Sequence, residues 1–148
     1  MVKFIGEYSA KIDDKGRIIF PSAFKCLLPE DDMRFVIRKD IFADCLEMFT
    51  FSEWEKESEA IKSRLNFLKK EHAMFWRQFM RNCAIVTPDS KLGRISVPKK
   101  LLDAIGAEKE VIFAGNDHKI ELWAKDRYES ASIPDEAYIA LAESMSDL

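Results

Sequence analysis

Two stretches, "GRIIFPSAF" at residues 16–24 and "GRISVPKKL" at residues 93–101, decide how this chain is organised. With Gly93 set on Gly16, the Gly-Arg pair, Ile18 on Ile95 and Pro21 on Pro98 all coincide. Beyond the prolines, Phe24, Leu27 and Leu28 in one stretch and Leu101, Leu102 and Ile105 in the other recur at helical spacing. Pro29 and Gly106 then follow as stop signals, so each copy is expected to carry a short helix there.

The match extends outward. "RFVIR" at 34–38 answers "EVIFA" at 110–114, and "CLEMFTFSEWE" answers "KIELWAKDRYE" when Glu47 is set on Glu121. That second alignment needs an offset smaller by three, so the first copy has a loop three residues longer. Ser52 with Glu55, and Asp126 with Glu129, have the spacing of an N-cap and a glutamate that reaches back to it. Each half reads strand, charged turn, strand, short helix, strand, turn, strand, helix, with Asn116-Asp117 marking the last hairpin.

Roughly 45 residues of β-rich sequence is marginal for an independent core, so two halves burying their apolar faces together is the natural solution. The expected organisation is one pseudo-symmetric domain over 1–148. It comprises a first repeat at 4–51, a helical insertion at 52–80, a second repeat at 81–123 and C-terminal helices at 124–148.

Within the first repeat, Tyr8, Ala10 and Ile12 alternate with Ser9 and Lys11, the period of a half-buried strand. Asp13-Asp14-Lys15-Gly16 suits a short hairpin loop closed by a glycine at positive φ. On the return strand Ile18 and Phe20 share one face while Arg17 and Ile19 share the other; Ile95 and Val97 likewise oppose Arg94 and Ser96. Both arginines can therefore point away from the core.

Composition sets the wider limits. The 148 residues are 47% hydrophobic and 33% charged, the balance of a folded domain. No signal-peptide pattern and no long apolar run is present, so a cytoplasmic location and no membrane partner are expected. Cys26, Cys45 and Cys83 form no C-x-x-C pair and read as reduced, mostly buried residues. His72 and His118 belong to no metal-ligand spacing; neither a metal nor a cofactor is expected.

The net charge of −3 argues at first against a nucleic-acid partner. Distribution matters more than the sum. The acids concentrate in "PEDDM", in "SEWEKESE" and at Asp135, Glu136, Glu143 and Asp147. A pseudo-twofold relation would instead bring together Lys11, Lys15 and Arg17 with Lys91, Arg94, Lys99 and Lys100. Two readings of those tips stand side by side: arginines paired with Asp13 or Asp14 in surface contacts of about 0–1 kcal/mol, or a cationic surface that meets phosphate.

These motifs carry a family resemblance. "FIGEYSAKIDDKGRIIFPSAF", "KLGRISVPKKLLDAIG" and the "IELWAKDRYE" ending, at this separation and chain length, resemble the MraZ family, bacterial AbrB-like regulators of the division and cell-wall gene cluster. The resemblance implies an α+β, mainly β fold: two AbrB-like repeats forming one swapped-hairpin β-barrel with additional helices. It also implies a ring-shaped homo-oligomer, associated with the nucleoid, that binds double-stranded promoter DNA at tandem boxes. Its DNA-binding arginines fall on Arg17, with Lys15 and Asp13 in the turn, and on Arg94. One departure stands out. Ser90 occupies the place three before the second glycine where an acidic residue is usual, and Leu92 directly precedes Gly93, so a differently shaped second turn is expected.

"FLKKEHAMFWRQFMRNCA" interleaves aromatics with Lys69, Lys70, Arg77 and Arg81. Base stacking is one reading; the favoured one is an amphipathic helix burying Leu68, Phe75 and Phe79, with Trp76 and Met80 free to face a neighbouring subunit. The "PDEAYIALAESMSDL" tail reads as a short acidic helix. A DNA-binding regulator is thus the leading function and an oligomeric interaction scaffold without DNA the alternative. An enzyme is not expected, because adjacent Asp13 and Asp14 offer no enclosed acid-base pair and no small-molecule substrate is evident.

Overall fold

A computed structural model of the chain describes residues 2–146; Asp147, counted above with the acidic tail, lies outside them, as do residues 1 and 148. The first half contains β1 (Glu7–Lys11), β2 (Arg17–Ile19), α1 (Ser22–Lys25), β3 (Phe35–Lys39), β4 (Cys45–Thr50), α2 (Phe51–Lys62) and α3 (Lys70–Arg81). The second contains β5 (Cys83–Val86), β6 (Arg94–Ser96), α4 (Lys99–Ala104), β7 (Glu110–Asn116), β8 (Lys119–Ala124), α5 (Lys125–Ser130) and α6 (Asp135–Ser144). The same succession of elements occurs twice. Residues 40–44 join β3 to β4 and residues 117–118 join β7 to β8, a difference of three, as the shifted offset requires. Asp117 takes the positive-φ position of the tighter turn at +63°.

Six strands form one antiparallel sheet in the order β1-β7-β8-β4-β3-β5, and β2 pairs with β6 in a separate ribbon. The order maps onto itself when β1 is exchanged for β5, β7 for β3 and β8 for β4. The first strand of each half therefore pairs within the other half: β1 with β7, and β5 with β3. The architecture is mixed α+β and mostly sheet. The hydrogen-bonded ladder does not close into a barrel; β1 and β5 are its edges, and an isolated Ile12–Ile18 bridge links β1 to β2.

The core lies between the large sheet and the ribbon. Phe4, Ile18, Phe20, Phe24, Phe35, Ile37, Met48, Ile95, Leu101 and Phe113 are fully or almost fully buried. Phe20 meets Phe35 at 5.2 Å and Phe113 at 5.6 Å between ring centres, so a ribbon residue touches both halves of the sheet. The alternation expected for the ribbon holds: Ile18, Phe20, Ile95 and Val97 are buried, while Arg17, Ile19, Arg94 and Ser96 face outward. The second short helix ends as expected at Gly106, whose φ of +67° lets Gly106 N–H and Ala107 N–H donate to Asp103 and Leu102 carbonyls at 3.0 and 2.9 Å.

On the opposite face of the sheet, Val36, Phe49, Trp54 and Phe79 make a second cluster under α2 and α3. Here two expectations need correction. The cap of α2 is Thr50, whose Oγ1 accepts from Glu53 N–H at 3.4 Å; Ser52 lies inside the helix. Its counterpart Asp126 lies in the first turn of α5, after Ala124. Both helices begin earlier because the strand runs directly into the helix, so the cap falls on the last strand residue, the polar Thr50 before α2 and the apolar Ala124 before α5. Likewise, Leu68 precedes α3 and is 96% exposed, Phe75 is 41% exposed, and Phe79 is the buried anchor. Trp76 is not free for a neighbour: it stacks on Phe79 at 5.2 Å and packs against the second cluster. Among the described residues, no helix is long and apolar enough to cross a membrane.

Candidate nucleic-acid interface

The two hairpin tips are built by the same device. In the first, Asp13 Oδ1 accepts from the N–H groups of Lys15 and Arg17 at 2.9 and 2.8 Å, and Oδ2 accepts from Arg17 Nε at 2.8 Å. Gly16 supplies the positive φ, +77°. In the second, Asp89 Oδ1 accepts from Leu92 and Gly93 N–H at 2.9 and 3.0 Å, Oδ2 accepts from Arg94 Nε at 2.8 Å, and Gly93 has φ +71°. One carboxylate in each turn thus folds the loop and orients the guanidinium.

The second turn does differ in shape, by one residue: Asp13 stands three before its glycine and Asp89 four before its own. The acid that Ser90 displaces is therefore not lost but moved upstream. Asp89 was missed by sequence reasoning because a fixed register inspects only position 90; the Asp-x-x-x-Gly-Arg run was the available signal. Both acids stay ionised. The Arg17 backbone N–H, opposed by some desolvation and assisted by the Arg17 side chain, lowers Asp13; the Arg94 guanidinium and Leu92 N–H hold Asp89 well below the usual carboxylate range.

The ribbon then brings the arginines together. Ile18 pairs with Ile95, Arg17 with Ser96 and Ile19 with Arg94, so the two arginines lie diagonally across one outward face, beside the exposed Ile19. Their side chains are 32% and 23% exposed. Each uses Nε for its aspartate, which leaves both terminal amino groups directed at no other side chain among the described residues.

Two depressions flank the ribbon and are related by the internal duplication. One, of about 790 Å³, lies between β1, the start of α1 and the second tip; Lys11, Lys25 and Lys91 line it and no acid does. The other, of about 520 Å³, lies between the first tip and α4; Lys15 and Lys99 share it with Asp13, Asp14, Asp103 and Glu108. Positive charge therefore gathers on one side. Lys25 was not singled out from sequence; its stem lies against Gly93, where a Cβ would sit 3.4 Å from Nζ. Its counterpart in the second half is the apolar Leu102, so the repeat itself gave no hint of it.

The remaining predicted residues divide. Lys11, Lys15 and Lys91 are exposed and carry no ion pair among the described residues. Lys99 pairs with Asp103 at 3.2 Å. Lys100 donates to the Arg81 carbonyl at 2.8 Å, capping the end of α3, and so is not a free cation of the tips.

Asp40, Cys45 and Glu121 place potential ligand atoms within 4.8 Å of one another. Burial, with Glu121 and Asp40 nearby, pushes the Cys45 thiol far up.

A duplicated β-rich unit, with first strands exchanged between halves and two aspartate-anchored arginines on its central ribbon, defines the structural class. The chain belongs to the MraZ family: the family model described as "MraZ protein, putative antitoxin-like" matches it twice, at residues 3–78 and 79–144. A "Transcriptional regulator MraZ" of Bacteroides thetaiotaomicron is 40% identical, covering 99% of this chain and 95% of its own. Proteins of the same name from Christiangramia forsetii and Treponema denticola are 37% and 35% identical over 87% and 93% of this chain, covering 83% and 96% of theirs. These names describe a regulator and not an enzyme.

Proposed function

We propose that the chain is a sequence-specific DNA-binding regulator of transcription that acts on the division and cell-wall gene cluster. The observation that carries this reading is the outward ribbon face, where Arg17 and Arg94 lie diagonally across the two strands next to an acid-free depression lined by Lys11, Lys25 and Lys91. The relatives' names support regulation of transcription. Arginines with free terminal amino groups suit base edges or phosphates, and the lysines suit the flanking backbone.

The finer points belong to the same proposal. The six-stranded sheet and the ribbon act as walls of one swapped-hairpin barrel, since each half lends its first strand to the other. The proposed partition is repeats at 4–51 and 81–123, an insertion at 52–80 and C-terminal helices at 124–148, and the exchange of first strands supports treating them as one pseudo-symmetric domain. The protein works in the cytoplasm at the nucleoid as a ring, with tips meeting tandem boxes in register. A multivalent ring needs no strong charge per subunit, and an overall charge of −3 limits non-specific attachment.

The test is binding to duplex from upstream of the protein's own gene, in competition with unrelated duplex. Arg17→Glu is expected to weaken specific binding by at least about fivefold, in line with the ~1–3 kcal/mol of a good base contact, with an unchanged circular dichroism spectrum. Affinity rises with one, two and three boxes, and log affinity falls by about 0.9 per phosphate contact per decade of salt. Undiminished binding by folded Arg17→Glu refutes the interface. No specific binding by the wild type leaves the scaffold reading.

A further inference from the structure

α6 is a helix without a partner. Every residue from Asp135 to Ser144 is exposed, and Ala137, Tyr138, Ile139, Ala140, Leu141 and Ala142 form an unbroken apolar run around its circumference. A helix apolar all round is ordinarily a buried one, and an isolated helix this short is marginal in water. Its polar groups are all acidic or neutral: Asp135 and Glu136 in the first turn and Glu143 near the end, none in an ion pair among the described residues.

A complementary surface lies on the other half of the same molecule. The longer loop 40–44 and the end of α2 enclose a groove of about 490 Å³ lined chiefly by Ile41, Phe42, Ala60, Ile61, Leu65 and Phe75. Phe42 is 95% exposed at its lip, where a lone monomer gains nothing from holding an aromatic ring in water. Two charged residues line the groove: Glu57, already paired with Arg38 at 3.3 Å, and Arg64, which is in no ion pair among the described residues. The one uncommitted charge of the groove is thus basic where the helix is acidic.

We infer that α6 of one copy seats its apolar residues in the α2/loop 40–44 groove of a second copy, with its acidic residues Asp135, Glu136 and Glu143 on the side of Arg64. Helix and groove are different patches, so the contact is heterologous and passes from copy to copy, closing into a ring if the rotation allows. The inference rests on the oligomeric part of the proposed function and supplies its joint.

The experiment uses the full chain and sedimentation velocity at matched concentrations. The helix variant is Tyr138→Glu with Leu141→Glu, and the groove variant is Phe42→Asp; both alter exposed positions, and circular dichroism and thermal midpoint check folding. The wild type is expected to sediment as a multi-subunit species and each variant alone as a single chain. Mixed one to one, they are expected to give a two-chain species, because one intact helix then meets one intact groove. Variants that keep the wild-type size overturn this contact and leave the oligomer reading standing. A monomeric wild type overturns both. If the mixture stays at one chain while each variant is dissociated, the pairing of this helix with this groove is wrong.

Discussion

The two halves agree where they face the ribbon and disagree on the outer face of the sheet. At the tips an aspartate, a positive-φ glycine and an arginine recur with the same 2.8 Å contact, even though one turn is a residue longer. On the outer face, Trp54 of α2 packs between Phe49 and Phe79 at 6.0 and 5.8 Å and is 8% exposed. Its counterpart on α5 is Tyr128, half-exposed, which meets Trp123 edge-on and donates to Glu7. Arg38 and Glu47 are buried together in the first half, and Lys119 joins Glu47 there; in the second half Ala114 and Glu121 occupy the matching places. A duplicated surface that stays alike while the layer behind it diverges is one whose geometry is used directly. The outer layers were free to specialise, one toward stability and the other toward an open helix.

The largest effect should separate the two outer layers. Trp54→Ala is expected to cost about 3–5 kcal/mol, since it leaves Phe49 and Phe79 facing a cavity, whereas Tyr128→Phe loses one hydrogen bond worth about 0.5–1.5 kcal/mol. Urea unfolding at matched protein concentration measures both. Equal losses would break the comparison.

The next effect tests the buried ions. Arg38 Nε donates to Glu47 at 2.9 Å, its Nη2 donates to Glu57 at 3.3 Å, and its guanidinium lies 4.8 Å from the Phe79 ring centre. Arg38 Nη1 is buried with no partner among the described residues. Glu47→Gln removes the charge that answers Arg38 and Lys119 together, at an expected cost of about 1.5–3 kcal/mol, the range for hydrogen bonds to charged groups. Glu121→Gln, which keeps an acceptor for Trp123 Nε1, should fall near zero. A Glu121 effect as large as that of Glu47 would mean the second half hides an equivalent network.

Much of this was legible in the chain, and the limits have physical causes. The short helices after Pro21 and Pro98 and the buried Ile18 and Ile95 followed from patterns local to one element, and the duplication and the three-residue difference between hairpin loops from matching one half of the chain against the other. The exchange of β1 and β5 was not readable from either strand, because a strand's alternation says which face is buried and not which strand lies beside it. Leu68 was misplaced because helical spacing continues past the point where Lys69 takes an extended backbone and the helix starts at Lys70. Lys25 joins the candidate site only through the fold, which lays the second tip against α1. Asp89 was in plain sight but one residue out of register.

The tips themselves give a smaller, sharper test. The Nε–H signals of Arg17 and Arg94 should be slowly exchanging in NMR spectra, and Asp13→Asn or Asp89→Asn should release the corresponding signal alone. Both acids are held below the ordinary aspartate value of 3.8, so each pair forms fully above that pH and is lost only as the pH falls through the lower folded value. Persistence of both signals just below pH 3.8 is expected. Loss of the Arg94 signal first would show that the longer turn is the weaker one.

The smallest effect is kinetic, and it reports on the outer layer without disturbing it. Cys26 lies exposed after α1, whereas Cys83 opens β5 beneath α3 and Cys45 opens β4, fully buried. Burial raises the Cys83 thiol to about 11, Arg38 and Lys100 opposing the rise, and pushes Cys45 further still. Because the thiolate is the attacking form, labelling at pH 8 should modify Cys26 first, Cys83 slowly and Cys45 only on unfolding. Raising the pH toward 11 should accelerate Cys83 in the folded protein. Trp54→Ala loosens the layer that shields Cys83, so it should speed Cys83 while leaving the Cys26 rate unchanged; Tyr128→Phe should leave both rates unchanged. If Cys83 responded equally to both substitutions, the two outer layers would be mechanically coupled through the sheet, and the division of labour between the halves would have to be abandoned.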